Sequence, residues 1–185
     1  GLFFLSGMTS LIYETLWIRV LSLGVGSTSV SMSIVLSIFF LGLSVGSWLT
    51  GHLANRISKP LLTYGLIEAA IGLYSLFLIH LLFIFHQVLA LLPAGEAFSH
   101  AALVGKFLIV FALLIFPTTL MGASLPLLIR IFVTSNADLG RKVSILYGVN
   151  TLGAVAGAFL TGFYLIPSFG IATSNHGAAA INGLI

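Results

Sequence analysis

The 185-residue sequence contains no cysteine and very few charged residues. Without cysteine, the chain can form neither disulfides nor thiolate metal sites, and it has no cysteine nucleophile. Only 6% of its residues are charged, whereas an ordinary soluble domain has about 25%. Four acidic and seven basic side chains cannot cover the surface of a globular domain of this length. The composition therefore excludes an ordinary water-soluble protein.

The signatures of soluble enzymes and of nucleic-acid-binding proteins are also missing. The sequence has no glycine-rich phosphate loop, no Ser/His/Asp triad and no cluster of metal ligands. His80 and His86 lie six positions apart, which is too far for a two-ligand site on one helix. The basic residues are scattered and do not form a patch that could follow a phosphate backbone. We therefore expect no catalytic residue, metal, cofactor or nucleic-acid partner for this chain.

Long hydrophobic runs are what the sequence does contain. Hydrophobic residues make up 59% of the chain, the mean hydropathy is +1.20, and several runs exceed the roughly 18 residues needed to cross hydrocarbon. Each run is predicted to be helical because lipid cannot satisfy exposed backbone groups. We predict a single all-α integral membrane domain over 1–185, with six transmembrane helices at about 1–23, 29–54, 61–92, 103–133, 141–166 and 171–185. Apolar residues at both ends suggest that the natural chain continues beyond them.

The placement of basic residues predicts the orientation of the helices. Arg56 and Lys59 lie between the second and third segments. Arg130 lies near the end of the fourth segment, and Arg141 and Lys142 begin the fifth. The positive-inside rule places both connections in the cytoplasm, and with six crossings both termini are then cytoplasmic too. A single basic residue, Lys106, argues against this orientation.

Two stretches of the sequence repeat each other. GLSVGSWLTG, residues 42–51, and GAVAGAFLTG, residues 153–162, share five identities in ten positions, and each begins with a GxxxG pair. These pairs are Gly42 with Gly46 and Gly153 with Gly157, which we predict to pack helices. With three segments per half, the repeats, about 1–92 and 103–185, would have opposite orientations, as within each half of a major facilitator transporter. The alternative is that small residues simply recur in packed membrane helices.

The first segment carries two charged residues, Glu14 near its middle and Arg19 toward its outer end. Five positions separate them by about 140° around a helix, so they cannot share a face. A charge at the centre of the bilayer costs about 2.5–3.5 kcal/mol on insertion scales, so Glu14 should face the protein interior. Arg19 can extend its long side chain to the interface beside Trp17.

Glu68 is the second acidic residue predicted to lie within the membrane, about two turns from the cytoplasmic end of the third segment. Tyr64 and Tyr74 lie near it in the sequence. Two carboxylates facing one cavity would suit a cationic substrate or a proton relay. Alternatively, Glu68 pairs with Arg56 or Lys59 and only fixes the depth of the helix.

Polar residues also interrupt the later segments. Asn150 can bind a ligand or form a hydrogen bond that holds two helices together. Pro117 and Pro126 are expected to break the fourth segment, either beside a cavity or at a packing kink. The candidate ligand-binding residues are Glu14, Glu68, Tyr13, Tyr64 and Asn150.

Four longer strings together resemble the membrane domain of bacterial spermidine synthase-like proteins. They are SGMTSLIYETLWIRVLSLGVGST, GLSVGSWLTGHLANRISKPLLTYGLIEAAIGLY, PTTLMGASLPLLIR and LYGVNTLGAVAGAFLTGFYLIPSFG. The resemblance implies half of a major facilitator-like bundle in the bacterial inner membrane, fused ahead of a cytoplasmic aminopropyltransferase. It also places Gly51, Asn55 and Arg56 on a loop motif of major facilitator transporters, in which Asn55 replaces an aspartate. Spermidine synthase activity would require a further domain after Ile185.

Two functions follow from these predictions. The chain could transport or sense a cationic metabolite such as a polyamine, as a half-transporter that dimerises through its GxxxG surfaces. Alternatively, it is a non-transporting membrane anchor or an accessory subunit of a larger membrane complex. In both cases its surroundings are the lipid bilayer.

Overall fold

The computed structural model describes residues 1–25, 27–90, 100–132 and 139–185, and all regular secondary structure in these residues is helical. The six helices are α1 (Leu2–Val25), α2 (Thr28–Leu53), α3 (Pro60–Ala90), α4 (His100–Phe132), α5 (Leu139–Leu160) and α6 (Ile166–Leu184). A 3₁₀ turn, Ala54–Arg56, follows α2, and a π-helical segment, Thr161–Leu165, joins α5 to α6. The helices occupy the predicted segments to within a few residues.

Four helical stretches in the described residues are long and apolar enough to cross a membrane. They are Thr28–Leu53, Pro60–Val88, Val104–Phe132 and Leu139–Leu184. Large apolar side chains such as Phe40, Trp48, Phe77 and Phe163 are exposed on these helices, as is expected of a surface that contacts lipid. The chain is therefore a multi-pass membrane protein.

Helix α1 is not among these four stretches, although the sequence predicts it to cross the membrane. Its acidic, basic and hydroxyl side chains lower its hydropathy. In the structure α1 is surrounded by α2, α3, α5 and α6, and Tyr13, Leu16, Trp17 and Val20 are completely buried. A helix in this central position contacts other helices more than lipid, and can therefore carry polar residues.

The predicted break between the fifth and sixth segments, at the sequence PSFG, is confined to a single residue in the structure. The chain stays helical there except at Gly170, whose φ of 76° and ψ of 175° interrupt the helix. Glycine adopts a positive φ readily because it has no Cβ. The chain folds back at this residue, since Leu146 in α5 and Ile185 after α6 both pack against the small cluster that contains Phe3 and Tyr64. In a straight helix these two residues would lie about 58 Å apart.

Helix α2 packs closely on α4 through glycine. A methyl group at Gly42 would overlap the side chain of Thr118, and one at Gly46 would overlap the carbonyl oxygen of Thr119. The backbones can approach this closely only because both positions lack a side chain.

Helix α5 packs on α1 in the same way. A methyl group at Gly153 would overlap the carbonyl oxygen of Phe4, and one at Gly157 would overlap that of Met8. All four GxxxG glycines are therefore used within the chain, and the prediction that they form a dimer surface is wrong.

Helix α4 is continuous through both of its prolines, so the prediction of a broken helix is also wrong. Pro117 has no N–H to donate to the carbonyl of Leu113, four residues earlier. The Tyr74 hydroxyl of α3 donates to this Leu113 oxygen at 3.0 Å. The nearby Thr118 donates to the carbonyl oxygens of Leu114 and Ile115 and not to that of Leu113. A neighbouring helix thus supplies the hydrogen bond that the proline removes.

Candidate ligand-binding site

A buried polar cluster forms around Glu68 of α3, which is only 1% exposed. Its Oε1 atom accepts hydrogen bonds from Ser6 Oγ at 2.6 Å and from Ser124 Oγ at 3.2 Å. Its Oε2 atom accepts one from Asn182 Nδ2 at 3.0 Å. Side chains from α1, α4 and α6 therefore converge on a carboxylate of α3.

Two tyrosines extend this cluster. The Tyr13 hydroxyl donates to Asn182 Oδ1 at 3.3 Å, and Tyr13 stacks on Trp17 with ring centroids 6.0 Å apart. The Tyr64 hydroxyl is buried beside Ser6 and Glu68, in a geometry too poor for a hydrogen bond. The structure thus brings together three of the predicted ligand-binding residues, Glu68, Tyr13 and Tyr64.

Sequence reasoning missed Asn182, Ser6 and Ser124. Asn182 had a recognisable signal, because an amide within an apolar segment needs a hydrogen-bond partner inside the membrane. The serines had none, since hydroxyl residues are common in this chain. The alternative pairing of Glu68 is not observed, because Arg56 and Lys59 are both exposed and Glu68 bonds only to uncharged side chains.

A cavity of about 360 Å³ lies between α1, α2, α4 and α5. Its aromatic lining comes from Phe3, Phe39, Phe40 and Tyr147, and none of its described lining residues is basic. The polar side chains of its lining are those of Ser6, Ser10, Ser47, Ser124, Tyr147, Asn150 and Thr151. The cavity therefore combines aromatic rings with hydroxyl and amide groups.

Ser6 and Ser124 belong to both the cavity and the cluster around Glu68. Each hydroxyl donates to the Glu68 carboxylate, and each residue also lines the cavity. Glu68 itself does not line the cavity. The hydroxyl groups of Ser6 and Ser124 therefore stand between its carboxylate and the cavity.

Glu14 lies on the side of α1 that faces the cavity, outside its lining. It is four residues beyond Ser10 and seven beyond Gly7, both of which line the cavity, so it shares their face of α1 and lies about 6 Å further along the helix axis than Ser10. It is 4% exposed and has no hydrogen bond or ion pair with another described residue. Arg19 is exposed, on another face of the helix.

The remaining predicted residues lie elsewhere. Gly51 is exposed in the last turn of α2 and Arg56 is exposed in the 3₁₀ turn, while the side chain of Asn55 is outside the described part of the chain. His80 lies beside His176 of α6, with ring centroids 6.4 Å apart. The described residues contain no group of three or more histidine or acidic side chains that could together hold a metal ion.

No family model, curated protein or solved structure matches this chain. The resemblance to the membrane domain of spermidine synthase-like proteins therefore stays a prediction, and the function has to be argued from the geometry of the site.

Proposed function

We propose that this chain is a half-transporter-like membrane bundle that binds a small cationic metabolite, of the polyamine type, in the cavity between α1, α2, α4 and α5. The observation that carries this proposal is a cavity whose described lining residues include none that is basic, with the buried carboxylate of Glu68 directly behind two of its serines. Glu14 is buried one turn beyond Ser10 on the same face of α1. A cation compensates a negative charge in this environment, whereas an anion would be repelled.

The cavity lining suits an alkylammonium ion. An ammonium group donates hydrogen bonds, and the serine hydroxyls and the Asn150 amide oxygen can accept them. The aromatic rings of Phe3, Phe39, Phe40 and Tyr147 can bind a cation through their faces. The methylene groups of the ligand would contact the apolar part of the lining.

The helix packing supports a bundle of two inverted three-helix repeats. Gly46 and Gly157 are equivalent in the repeated sequence and are separated by 111 positions. Their contacts, the carbonyl oxygens of Thr119 and Met8, are separated by the same 111 positions. The second helix of each repeat would thus pack on the first helix of the other. This reciprocal packing between the two repeats favours six crossings, as in half of a major facilitator transporter.

The orientation that we propose has both termini in the cytoplasm of a bacterial inner membrane. The basic residues Arg56, Lys59, Arg141 and Lys142 are exposed or half-buried around the two cytoplasmic connections, as the positive-inside rule requires. An aminopropyltransferase domain following Ile185, as the family resemblance implies, would then be on the same side as its polyamine substrates.

Binding and uptake of labelled spermidine by the chain in proteoliposomes test this function. Glu14→Gln and Tyr147→Leu should each weaken binding about tenfold or more, because they remove a carboxylate beside the cavity and an aromatic ring of its lining. Tyr164→Leu is the matched control, since Tyr164 is also exposed on the α5–α6 run but does not line the cavity. If wild-type protein binds no spermidine, the proposal is wrong.

A membrane anchor is the second candidate, and the hydrogen bonds of Glu68 favour it. Three side chains already donate to this carboxylate, which is what a purely structural buried acid requires. An anchor would lose stability in Glu68→Gln but would neither bind nor transport spermidine.

A further inference from the structure

Four of the six hydroxyl groups that line the cavity have their protons directed away from it. Ser10 Oγ donates to the carbonyl oxygen of Ser6 at 2.9 Å, and Thr151 Oγ1 donates to that of Tyr147 at 2.9 Å. Ser6 and Ser124 donate to Glu68. A hydroxyl has one proton and two lone pairs. These four residues can therefore offer only oxygen lone pairs to a molecule in the cavity.

We infer that Glu68 determines the ligand selectivity of the cavity by fixing the hydroxyl protons of Ser6 and Ser124, so that the cavity prefers ammonium ions that carry N–H groups to quaternary ammonium ions. This inference rests on the proposed function. It assigns Glu68 a positioning role, because its carboxylate acts on the ligand through two serines.

The geometry of the Glu68 contacts explains why the carboxylate holds these protons. The Ser6 Oγ to Glu68 Oε1 distance of 2.6 Å is typical of a hydrogen bond from a hydroxyl to a charged acceptor, which is about twice as strong as a neutral one. The Ser124 bond to the same oxygen is longer, at 3.2 Å. Neither proton can rotate toward the cavity without leaving a buried carboxylate oxygen with fewer donors, which is costly.

Such a lining distinguishes cations by their donors. A primary ammonium group can donate N–H bonds to the serine oxygens, and the negative charge behind them strengthens these bonds. A quaternary ammonium group has the same charge and can use the same aromatic rings, but it has no proton to donate. At these four residues a ligand that presents carbonyl or carboxylate oxygens would meet only lone pairs.

Two isomeric monocations, n-butylammonium and tetramethylammonium, provide the test. We expect the wild-type chain in lipid nanodiscs to bind n-butylammonium about tenfold more tightly by titration calorimetry, the difference expected for one or two hydrogen bonds. In Glu68→Gln this ratio should fall toward one, because an amide can itself donate to a serine oxygen. Ser6→Ala with Ser124→Ala should also reduce it, and Ser6→Thr should preserve it.

The controls separate selectivity from folding and from the function itself. Thr161→Val removes a buried hydroxyl that bonds only to Gly157 and lies outside the cavity, so its ratio should equal that of the wild type. If Glu68→Gln does not fold, the serine variants decide the question. An unchanged ratio in variants that still bind would overturn the role of Glu68 and leave the proposed function standing. Absence of binding of both cations to wild-type protein would contradict both.

Discussion

At the scale of single residues, the informative polar groups are those whose hydrogen bonds cross between helices. Among the described residues, most hydroxyl side chains that form a hydrogen bond do so within their own helix, as Thr15 does with Leu11 and Ser44 does with Phe40. Such bonds only satisfy the hydroxyl locally. The bonds of Ser6, Ser124 and Asn182 instead converge on Glu68 from three other helices, and thereby determine where a charge can be buried.

Asn182 is the residue whose loss should damage this cluster most. Asn182→Leu would leave Glu68 Oε2 without its side-chain donor and the Tyr13 hydroxyl without its acceptor. We expect the free energy of unfolding in detergent to fall by about 1–3 kcal/mol, the cost of unsatisfied buried polar groups. Ser44→Ala, which removes an exposed hydroxyl bonded to its own helix, should change it by less than about 0.5 kcal/mol. Equal stability of both variants would argue against the cluster.

At the scale of the helices, glycine residues determine how closely two pairs of helices approach each other. The α2/α4 and α1/α5 pairs are in contact through glycine, so these crossings depend on backbone contact more than on side-chain packing. Lys142 Nζ donates to the carbonyl oxygen of Phe132 at 3.1 Å, and so α5 provides a cation at the C-terminal end of α4, where the helix dipole favours one.

A single methyl group at Gly46 should separate α2 from α4. Gly46→Ala places a Cβ against the backbone carbonyl of Thr119, which cannot move without shifting the helix, so we expect a loss of about 1–3 kcal/mol in unfolding free energy. Gly51→Ala is the matched control in the same helix, because nothing lies within 4 Å of its added Cβ. It should be neutral or stabilise by up to about 1 kcal/mol. Thermal unfolding of both variants in one detergent measures the difference.

At the scale of the whole molecule, the fold-back at Gly170 and the central position of α1 are the features that support our proposal of six crossings. Length and composition alone identify four candidate spans, because the run from Leu139 to Leu184 counts as one helix and α1 is too polar. The tertiary structure reverses the last run at Gly170 and places α1 among the other helices.

Single cysteines can test the six-crossing arrangement cleanly, because the chain has no other thiol. Ser29, Ser58, Gly140 and Ser168 are exposed near the ends of successive helices. We expect a membrane-impermeant maleimide to label Ser58→Cys and Gly140→Cys only from the cytoplasmic side, and Ser29→Cys and Ser168→Cys only from the other. Gly183→Cys, exposed near the end of α6, should be labelled from the same side as Gly140→Cys. Labelling of these two from opposite sides would contradict the fold-back, whereas Ser58→Cys on the outer side would contradict the orientation.

The sequence by itself determined the membrane character, the helical class and the approximate helix boundaries. These properties depend on hydropathy summed along the chain and on the need to satisfy backbone groups in lipid, and both are local. The sequence also identified Glu14 and Glu68 as unusual, because a carboxylate in an apolar segment is costly wherever it points.

Only the tertiary structure decided what these residues contact. The partners of Glu68 are 62, 56 and 114 positions away along the chain, and the GxxxG glycines of α2 and α5 meet α4 and α1. Such contacts depend on how each helix is rotated and crossed against its neighbours, which hydropathy does not specify. For the same physical reason, the sequence could not show that Ser6 and Ser124 connect a buried charge to a cavity.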